Sequence, residues 1–549
     1  MPERYWLETL GCPKNQVDSD KLAGSLVDDG LELADSSEDA DLIVVNTCAF
    51  IDAARQESID TILALSATRR DGARLVVTGC MAERYRSELA ESLPEVDLVA
   101  PFGVSLTSFA DEGSTATGKP TASELTSAPS SPVTPAVIPT PVQLMAKPGS
   151  GPAPLPSFDL LNLPRPASAA PWAYVKVAEG CDRHCGFCAI PSFRGKQRSR
   201  TLEAVLTEVD QLGARPGGLH EIVLVAQDLA SFALDRTARA TPAAGVMGGP
   251  GTSAEGTPIR ASTPSGGTSA GGTGSPGAPL AAWDVLDAPV AGARRPIVDL
   301  VAAVSERVRW TRLLYLYPSA LDDGLVDAIL ATGVPYFDLS LQHVSRPLLK
   351  RMRRWGDGQR FLDRIAAIRR SEPTAAFRSS FIVGYPGETE ADHDELLAWL
   401  EEAQLDWVGF FPYSAEEGTF AAGLDGQVRP ELVSERLREL TELQDAITAR
   451  RRDDLIGTRI EVLVDAPGEG RSYREAPEID GIVSLPEDLA VGSFVDVVIT
   501  GAAGPDLVAE PVADASPQAG AHPAAADPTP AGDRMTPEAD RTPLPGARR

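Results

Sequence analysis

Six cysteines are the full complement of this 549-residue chain, and they fall into two groups of three. Cys181, Cys185 and Cys188 form Cys-x3-Cys-x2-Cys within Glu179-Gly-Cys-Asp-Arg-His-Cys-Gly-Phe-Cys188. Three thiolates on one short loop can hold three irons of a 4Fe-4S cube and leave the fourth iron open to a small molecule. Zinc competes for such thiols, but a structural zinc wants four ligands, usually from paired Cys-x2-Cys units, and His184 stands at an unsuitable spacing to supply the fourth. Cys12, Cys48 and Cys80 are far apart in sequence, yet each lies just past a short β-rich run and follows Gly or Thr. The carboxyl ends of parallel strands line one edge of a sheet, so these three thiols are expected to converge there and form a second metal site. Three separately buried structural cysteines are the alternative. Disulfides are disfavoured in a cytoplasmic chain.

The elements that must position these thiols read as three folded blocks of an α/β protein. Residues 1–112 alternate strands (Tyr5 to Leu10, Asp41 to Val45, Arg74 to Val77) with amphipathic helices near 17–29, 52–69 and 82–92, which predicts a small parallel sheet. Residues 171–445 repeat the alternation through runs beginning at Ala173, Glu221, Arg312, Tyr336, Ser380 and Trp407, which predicts a partial (βα)6 barrel. Residues 451–510 carry short strands such as Arg459 to Val464 and Phe494 to Ile499 between turn residues, as in a small antiparallel β-barrel. Between and after them lie a Pro/Ser-rich insert at 113–170 with twelve prolines, a Gly-rich insert at 237–282 with eleven glycines and no aromatic residue, and a tail at 511–549 with eight prolines. None has the apolar content to build a core, and all three are expected to be disordered. Removing 237–282 should therefore leave the rest of the chain working.

Fifty Lys and Arg against 78 Asp and Glu give a net charge of −28 and a pI near 4.6. That balance argues against a protein that grips nucleic-acid phosphates over a wide area, and it favours a basic partner. The start of the chain lacks the basic and apolar regions of a secretory signal, and no run of about 18 apolar residues could span a bilayer. A cytoplasmic location without membrane attachment is the expectation.

The three-cysteine loop resembles the signature of radical S-adenosylmethionine enzymes, and the full set of motifs is similar to the methylthiotransferase family within them. The matching residues are Leu10-Gly-Cys-Pro-Lys-Asn-Gln-Val-Asp-Ser19, Asn46-Thr-Cys-Ala-Phe-Ile51, Gly79-Cys80, Glu179 to Cys188, Ile190-Pro-Ser-Phe-Arg-Gly195, Val225-Ala-Gln-Asp228, Leu341-Gln-His343, Met352-Arg-Arg354 and Phe381 to Thr389. Cys12-Pro-Lys-Asn15, the Cys-Ala-Phe-Ile stretch with Glu57-Ser-Ile, Gln342-His343 and Ala476-Pro-Glu-Ile-Asp-Gly481 resemble the branch that modifies a ribosomal protein rather than tRNA. The resemblance implies that Cys181, Cys185 and Cys188 hold a 4Fe-4S cluster whose open iron binds S-adenosylmethionine. Cleavage by one electron from a reducing donor then gives a 5′-deoxyadenosyl radical that abstracts hydrogen from the β-carbon of an aspartate on small-subunit ribosomal protein 12. It further implies that Cys12, Cys48 and Cys80 hold a second 4Fe-4S cluster that presents methylated sulfur to the substrate radical.

Other positions are candidates for cofactor contacts. Phe187, between two cysteines, either covers the adenine or fills the barrel mouth. Gln227 and Asp228 end a strand at the expected active face, where polar groups tend to be functional. Gly384, in Ile-Val-Gly-Tyr-Pro-Gly, either lets backbone approach the adenosine or serves a turn. His343 either meets substrate or caps a strand, and the run Lys350-Arg-Met-Arg-Arg354 reads as a solvated helix face. After Gln227-Asp228 this chain has Leu229-Ala-Ser231, where the family usually has threonines. The terminal block resembles a TRAM domain, a module associated with RNA, but its five basic and thirteen acidic residues give −8 over 451–510, a sign suited to a basic protein rather than strong direct nucleic-acid binding. Two rival functions remain: a tRNA adenosine methylthiotransferase with the same two clusters, and a two-cluster electron carrier. The carrier explains neither the six barrel units nor the three-cysteine sets, since ferredoxin clusters take four cysteines each.

Overall fold

The structure, a computed structural model, describes residues 3–107, 160–236 and 295–512 apart from 167, 169 and 216. The Gly-rich insert, most of the Pro/Ser-rich insert and the tail beyond residue 512 lie outside the described residues. None of the described helices is long and apolar enough to cross a membrane.

Five parallel strands form the first sheet: β1 (Arg4–Thr9), β2 (Glu32–Leu33), β3 (Leu42–Thr47), β4 (Arg74–Gly79) and β5 (Leu98–Val99), in the order β2-β1-β3-β4-β5. Alternation decides which face each side chain serves. Ile43, Val45, Leu75 and Val77 pack under α2 (Asp52–Thr68) and α3 (Cys80–Ser92), while Leu42, Val44 and Val76 meet Leu22 and Leu26 of α1 (Pro13–Asp28). Both faces are covered, which is why β3 is apolar almost throughout, as buried parallel strands are.

All six expected barrel strands are present. They are β6 (Trp172–Lys176), β9 (Glu221–Val225), β10 (Trp310–Leu313), β11 (Tyr336–Gln342), β12 (Ala376–Val383) and β13 (Trp407–Pro412), and the short ribbon β7 (Ala178–Glu179) with β8 (Arg198–Ser199) follows the first of them. They pair as two three-stranded parallel sheets, β6-β9-β10 and β11-β12-β13, joined at a Leu316–Leu339 bridge into an open barrel. Ile222, Leu224 and Leu313 face the outer helices in one large core, whereas Tyr174, Val223, Trp310 and Tyr336 face the lumen.

The third block closes as a barrel in the order β14-β15-β16-β18-β17: β14 (Arg459–Ala466), β15 (Glu469–Arg471), β16 (Val483–Ser484), β17 (Phe494–Ala503) and β18 (Asp506–Pro511). The expected antiparallel barrel needs one correction, because β16 and β18 pair in parallel. β16 is only two residues long and leads away at once, so the chain can close the barrel there without a hairpin. The stretch 472–481 before β16 leaves the small barrel and enters the lumen of the large one. Pro477 O accepts from Tyr174 Oη at 2.7 Å, Arg474 O from Trp407 Nε1 at 2.8 Å and Tyr473 O from Arg312 Nη1 at 2.8 Å. Asp480 accepts from Tyr336 Oη at 2.6 Å, and Arg378 pairs with it at 3.3 Å. Behind it, the fully buried Glu221 is shared by Arg312 and Arg471. The segment thus contacts residues of β6, β10, β11, β12 and β13, those on β11, β12 and β13 towards their amino ends, which closes the end of the barrel opposite the cysteine loop.

The expectation of an unpacked insert through residue 170 also needs correction at its far end. Leu160 and Leu161 are buried, and Lys21 Nζ of α1 donates to Leu161 O at 2.8 Å and Leu163 O at 3.1 Å. Arg165 pairs with Asp20 and with Glu208 on α5 (following α4, Ile190–Phe193; α5 is Leu202–Gly213). Proline-rich composition hid these residues because their partners lie on other elements.

Candidate functional site

The thiols stand where the strand pattern placed them. Cys48 directly follows β3, Cys80 opens α3 immediately after β4, and Cys12 is the residue before α1, three past the end of β1. Because β1, β3 and β4 are neighbours, the three meet at one edge of the sheet. Two glycines make this approach feasible. Gly11 has φ +98°, and a Cβ there would lie 2.8 Å from Cys48 Cβ and 3.0 Å from its Sγ. Gly79 has φ +91°, and a Cβ there would strike the backbone of Thr47. Any larger residue before Cys12 or Cys80 would drive the thiols apart. Asn15 fixes the edge by donating to Leu10 O at 2.9 Å and Thr47 O at 3.1 Å, and Asn46 donates to Asn15 O at 2.9 Å.

The second trio lies on the loop after β7, at the carboxyl end of the open barrel. Cys181 N donates to Gly195 O at 3.1 Å, and Gly186 N donates to Met352 O at 2.8 Å, so the loop is held from both sides. All six cysteines are free thiols. Burial pushes Cys48, Cys181 and Cys188 up to about 12 and raises Cys80 as well. Cys12 goes the other way: burial would raise it, but Lys14, Arg194 and the backbone N–H groups of Asn15 and Lys14 hold it below the ordinary thiol value. Among the described residues no three His, Cys, Asp or Glu side chains are drawn together tightly enough for a single metal ion. Each trio is a set of neighbouring thiols whose charges act on one another.

Between the trios lies a buried network of charge. Arg194, just past α4, donates to Cys80 Sγ at 3.0 Å and Asn15 Oδ1 at 2.9 Å on the first domain. It also pairs with Asp18 at 3.0 Å and with Glu179 at 3.1 Å, two residues before Cys181. Lys176 at the end of β6 pairs with the same two carboxylates. Burial alone would raise the Glu179 carboxyl, but Arg194 and Lys176 hold it down at about 2. Two cations thus neutralise two anions out of water, and one guanidinium touches both halves of the site.

Around the second trio the polar groups are incompletely satisfied. Gln227 Nε2 donates to Glu179 Oε1 at 2.7 Å, which leaves Gln227 Oε1 buried without a partner. Asp228 Oδ2 accepts from Arg183 Nε at 2.7 Å and from Ser231 Oγ at 2.6 Å, while its Oδ1 is buried and unpartnered. Arg354 Nη1 donates to Cys185 Sγ at 3.2 Å, and the guanidiniums of Arg183 and Arg354 sit 3.9 and 4.2 Å from the Tyr317 ring centre. The run Lys350 to Arg354 is only in part the solvated face expected: Lys350 and Arg353 are exposed, but Met352 is fully buried and Arg354 turns inward to a thiol. Sequence reasoning gave no role to Arg194 or Arg354, since a cysteine partner 114 or 169 residues away leaves no local pattern.

The remaining candidates resolve individually. Phe187 is half-buried against the main core. At Gly384, φ is +81° and Val433 of a helix spanning Pro430–Asp453 fills the place of a side chain, so the turn and that helix account for the glycine. His343 is fully buried and its Nδ1 accepts from Ser345 N at 3.0 Å, which makes it the cap of the turn after β11. Burial pushes its imidazole down to about 4. His184 is exposed. A latch joins the domains at the rim: Arg55 of α2 and Arg84 of α3 share the buried Glu416 at 2.5 and 2.6 Å. Glu416 lies after β13, on the loop whose Ala421 N donates to Gly186 O at 2.8 Å.

The donor sets suit iron-sulfur clusters. Each site offers three thiols and no carboxylate ligand, with a guanidinium donating to one sulfur, an arrangement that offsets thiolate charge. Residues 4–101 match the uncharacterized protein family UPF0004, residues 175–243 and 289–400 the Radical SAM superfamily, and residues 456–512 the TRAM domain. The chain is 38% identical to a protein of Cutibacterium acnes named ribosomal protein uS12 methylthiotransferase RimO, over 92% of this chain and 97% of that one. Proteins of the same name from Streptomyces coelicolor and Geobacter sulfurreducens are each 36% identical, over 92% of this chain and 96% and 98% of theirs.

Proposed function

Since the chain belongs to the ribosomal protein uS12 methylthiotransferase RimO family, and is a radical S-adenosylmethionine methylthiotransferase, we propose that it adds a methylthio group to the β-carbon of an aspartate of uS12 using two 4Fe-4S clusters. Cys12, Cys48 and Cys80 would hold the first cluster, and Cys181, Cys185 and Cys188 the one that binds S-adenosylmethionine. The observation that supports this reading is one buried guanidinium, Arg194, that donates to Cys80 of the first trio and pairs with Glu179, two residues before Cys181 of the second. When bound, the clusters and S-adenosylmethionine supply one-electron cleavage of a carbon–sulfur bond and a transferable methylthio group, chemistry that no side chain offers.

The chain's own residues prepare the site for it. Lys176 and Arg194 fix Glu179, which orients Gln227 and leaves its Oε1 as an acceptor beside the cysteine loop. Arg183 and Ser231 fix Asp228 in the same way. Two buried acceptors would hold the amino group of an S-adenosylmethionine, since an unpaired buried oxygen otherwise costs about 1–3 kcal/mol. Residues 1–112, 171–445 and 451–510 act as the three working units, with the 472–481 segment shutting the far end of the barrel against water. The acidic terminal barrel favours a basic protein over RNA. A reducing electron donor and a cytoplasmic location complete the reading.

The test is mass spectrometry of uS12 after anaerobic incubation with reconstituted enzyme, reductant and S-adenosylmethionine, beside Cys12→Ala and Cys185→Ala. A methylthio group on one aspartate, lost in both variants, is the expected result. Deoxyadenosine without any change in uS12 would move the substrate to tRNA.

A further inference from the structure

The first turn of α1 carries a charge that the network above does not use. Lys14, two residues from Cys12, is 8% exposed, and its Nζ stands 3.1 Å from the centre of the Tyr315 ring. No hydrogen bond or ion pair engages this ammonium among the described residues, in contrast to the buried Lys21 and Lys176. Cys12 and the Asp338 carboxylate favour its charge through space, but neither bonds to it. Asp338 accepts from Tyr315 N at 2.9 Å and pairs with Arg378 at 3.2 Å, so both its oxygens are taken. Tyr315 itself is held at φ +65°, a conformation rare for an aromatic residue, and that backbone hydrogen bond is what holds it. The fold thus accepts local strain to seat an aromatic platform under a cation that no hydrogen bond or ion pair engages among the described residues.

A buried ammonium that makes no hydrogen bond is incompletely compensated, and a carboxylate is its natural complement. Resting on the functional reading above, we propose that Lys14 is the specificity residue that binds the carboxylate of the substrate aspartate. The β-carbon to be modified is bonded directly to that carboxylate carbon. A grip at Lys14, next to Cys12, would therefore hold the reacting carbon beside the first cysteine trio. It would also favour aspartate over asparagine, which has the same shape and no charge.

The test is binding to the reconstituted holoenzyme with S-adenosylmethionine and no reductant, using uS12 with either aspartate or asparagine at the target position. The wild-type enzyme is expected to bind the aspartate form tighter by roughly 10- to 100-fold, the range of a hydrogen bond to a charged group. Lys14→Met keeps the volume and a favourable contact with the ring. Compared at matched iron content, it should bind both forms equally, and Lys14→Arg should retain the preference. Should Lys14→Met load less iron, the polar, uncharged Lys14→Gln carries the same comparison. A Lys14→Met or Lys14→Gln enzyme that still prefers aspartate overturns the inference. If the wild-type enzyme leaves uS12 unmodified, the functional reading falls and takes this inference with it; if it modifies uS12 and the preference survives in the variants, this inference alone falls.

Discussion

Replacing Arg194 by methionine removes one of four charges from a closed, buried set. Its side chain is 4% exposed, Asp18 is 0% and Lys176 is 1%, so water cannot substitute for the lost guanidinium. Lys176 alone would then face Asp18 and Glu179, and one carboxylate would be left uncompensated. Breaking a buried pair in this manner costs about 3–5 kcal/mol. With a urea slope of about 2 kcal/mol per molar, the unfolding midpoint of the first domain should fall by about 1.5–2.5 M. The double variant Arg194→Met/Asp18→Asn removes one charge of each sign and leaves the Lys176–Glu179 pair intact. It should recover part of the loss, with a coupling of about 1–3 kcal/mol. Urea titrations of the reconstituted wild type, both single variants and the double variant, followed by fluorescence, give all four corners of the cycle. Additive single losses, or a loss below about 1 kcal/mol for Arg194→Met, would refute the claim that this arginine joins the two halves electrostatically.

Further outcomes follow from the same geometry. Alanine at Cys12, Cys48 or Cys80 should lower iron from about eight to about four per chain and leave the spectrum of the other cluster intact, as read by iron assay and electron paramagnetic resonance. His343, neutral in the fold down to about pH 4, takes up a proton in the unfolded chain near pH 6.5, so it withdraws stability as the pH falls from 6.5 to 4. That difference is worth up to about 3 kcal/mol, and His343→Gln should flatten the stability profile across that window without altering it above pH 7. Glu416→Gln leaves Arg55 and Arg84 without their shared anion and should loosen the rim. The ratio of deoxyadenosine formed to uS12 modified, measured by liquid chromatography, should then rise several-fold; an unchanged ratio would reduce the latch to a surface contact.

How far the sequence disclosed this arrangement depends on where each residue finds its partner. The six cysteines were legible because the geometry they need is local to the strand before them. β1, β3 and β4 announce themselves as short runs of β-forming residues, and parallel pairing brings their carboxyl ends to one edge whatever else the chain does. The six barrel strands were legible for the same reason. Asp18, Lys176, Arg194, Glu221, Arg312 and Arg471 were not, since a charged residue in a sequence reads as surface until its counter-ion is located. Lys176 and Asp18 are 158 residues apart and Glu221 and Arg471 are 250 apart, with no periodicity linking them.

The 472–481 segment shows that limit most sharply, because its composition points the wrong way. Ser472-Tyr-Arg-Glu-Ala-Pro-Glu-Ile-Asp-Gly481 is polar, contains a proline and ends in glycine, the signature of a solvated turn. Yet Ser472, Glu475 and Ala476 are fully buried, since carbonyls and carboxylates are what the lumen donors Tyr174, Trp407, Arg312 and Tyr336 require. Three of those donors take backbone carbonyls, which any sequence following this path would offer, whereas Tyr336 and Arg378 need the Asp480 carboxylate, and an apolar residue there would leave the Tyr336 hydroxyl unsatisfied at about 1–3 kcal/mol. The segment is therefore seated by its backbone and fixed by one acidic side chain. A small acidic barrel attached by such a segment closes the radical barrel at one end, and the cysteine trios keep the other.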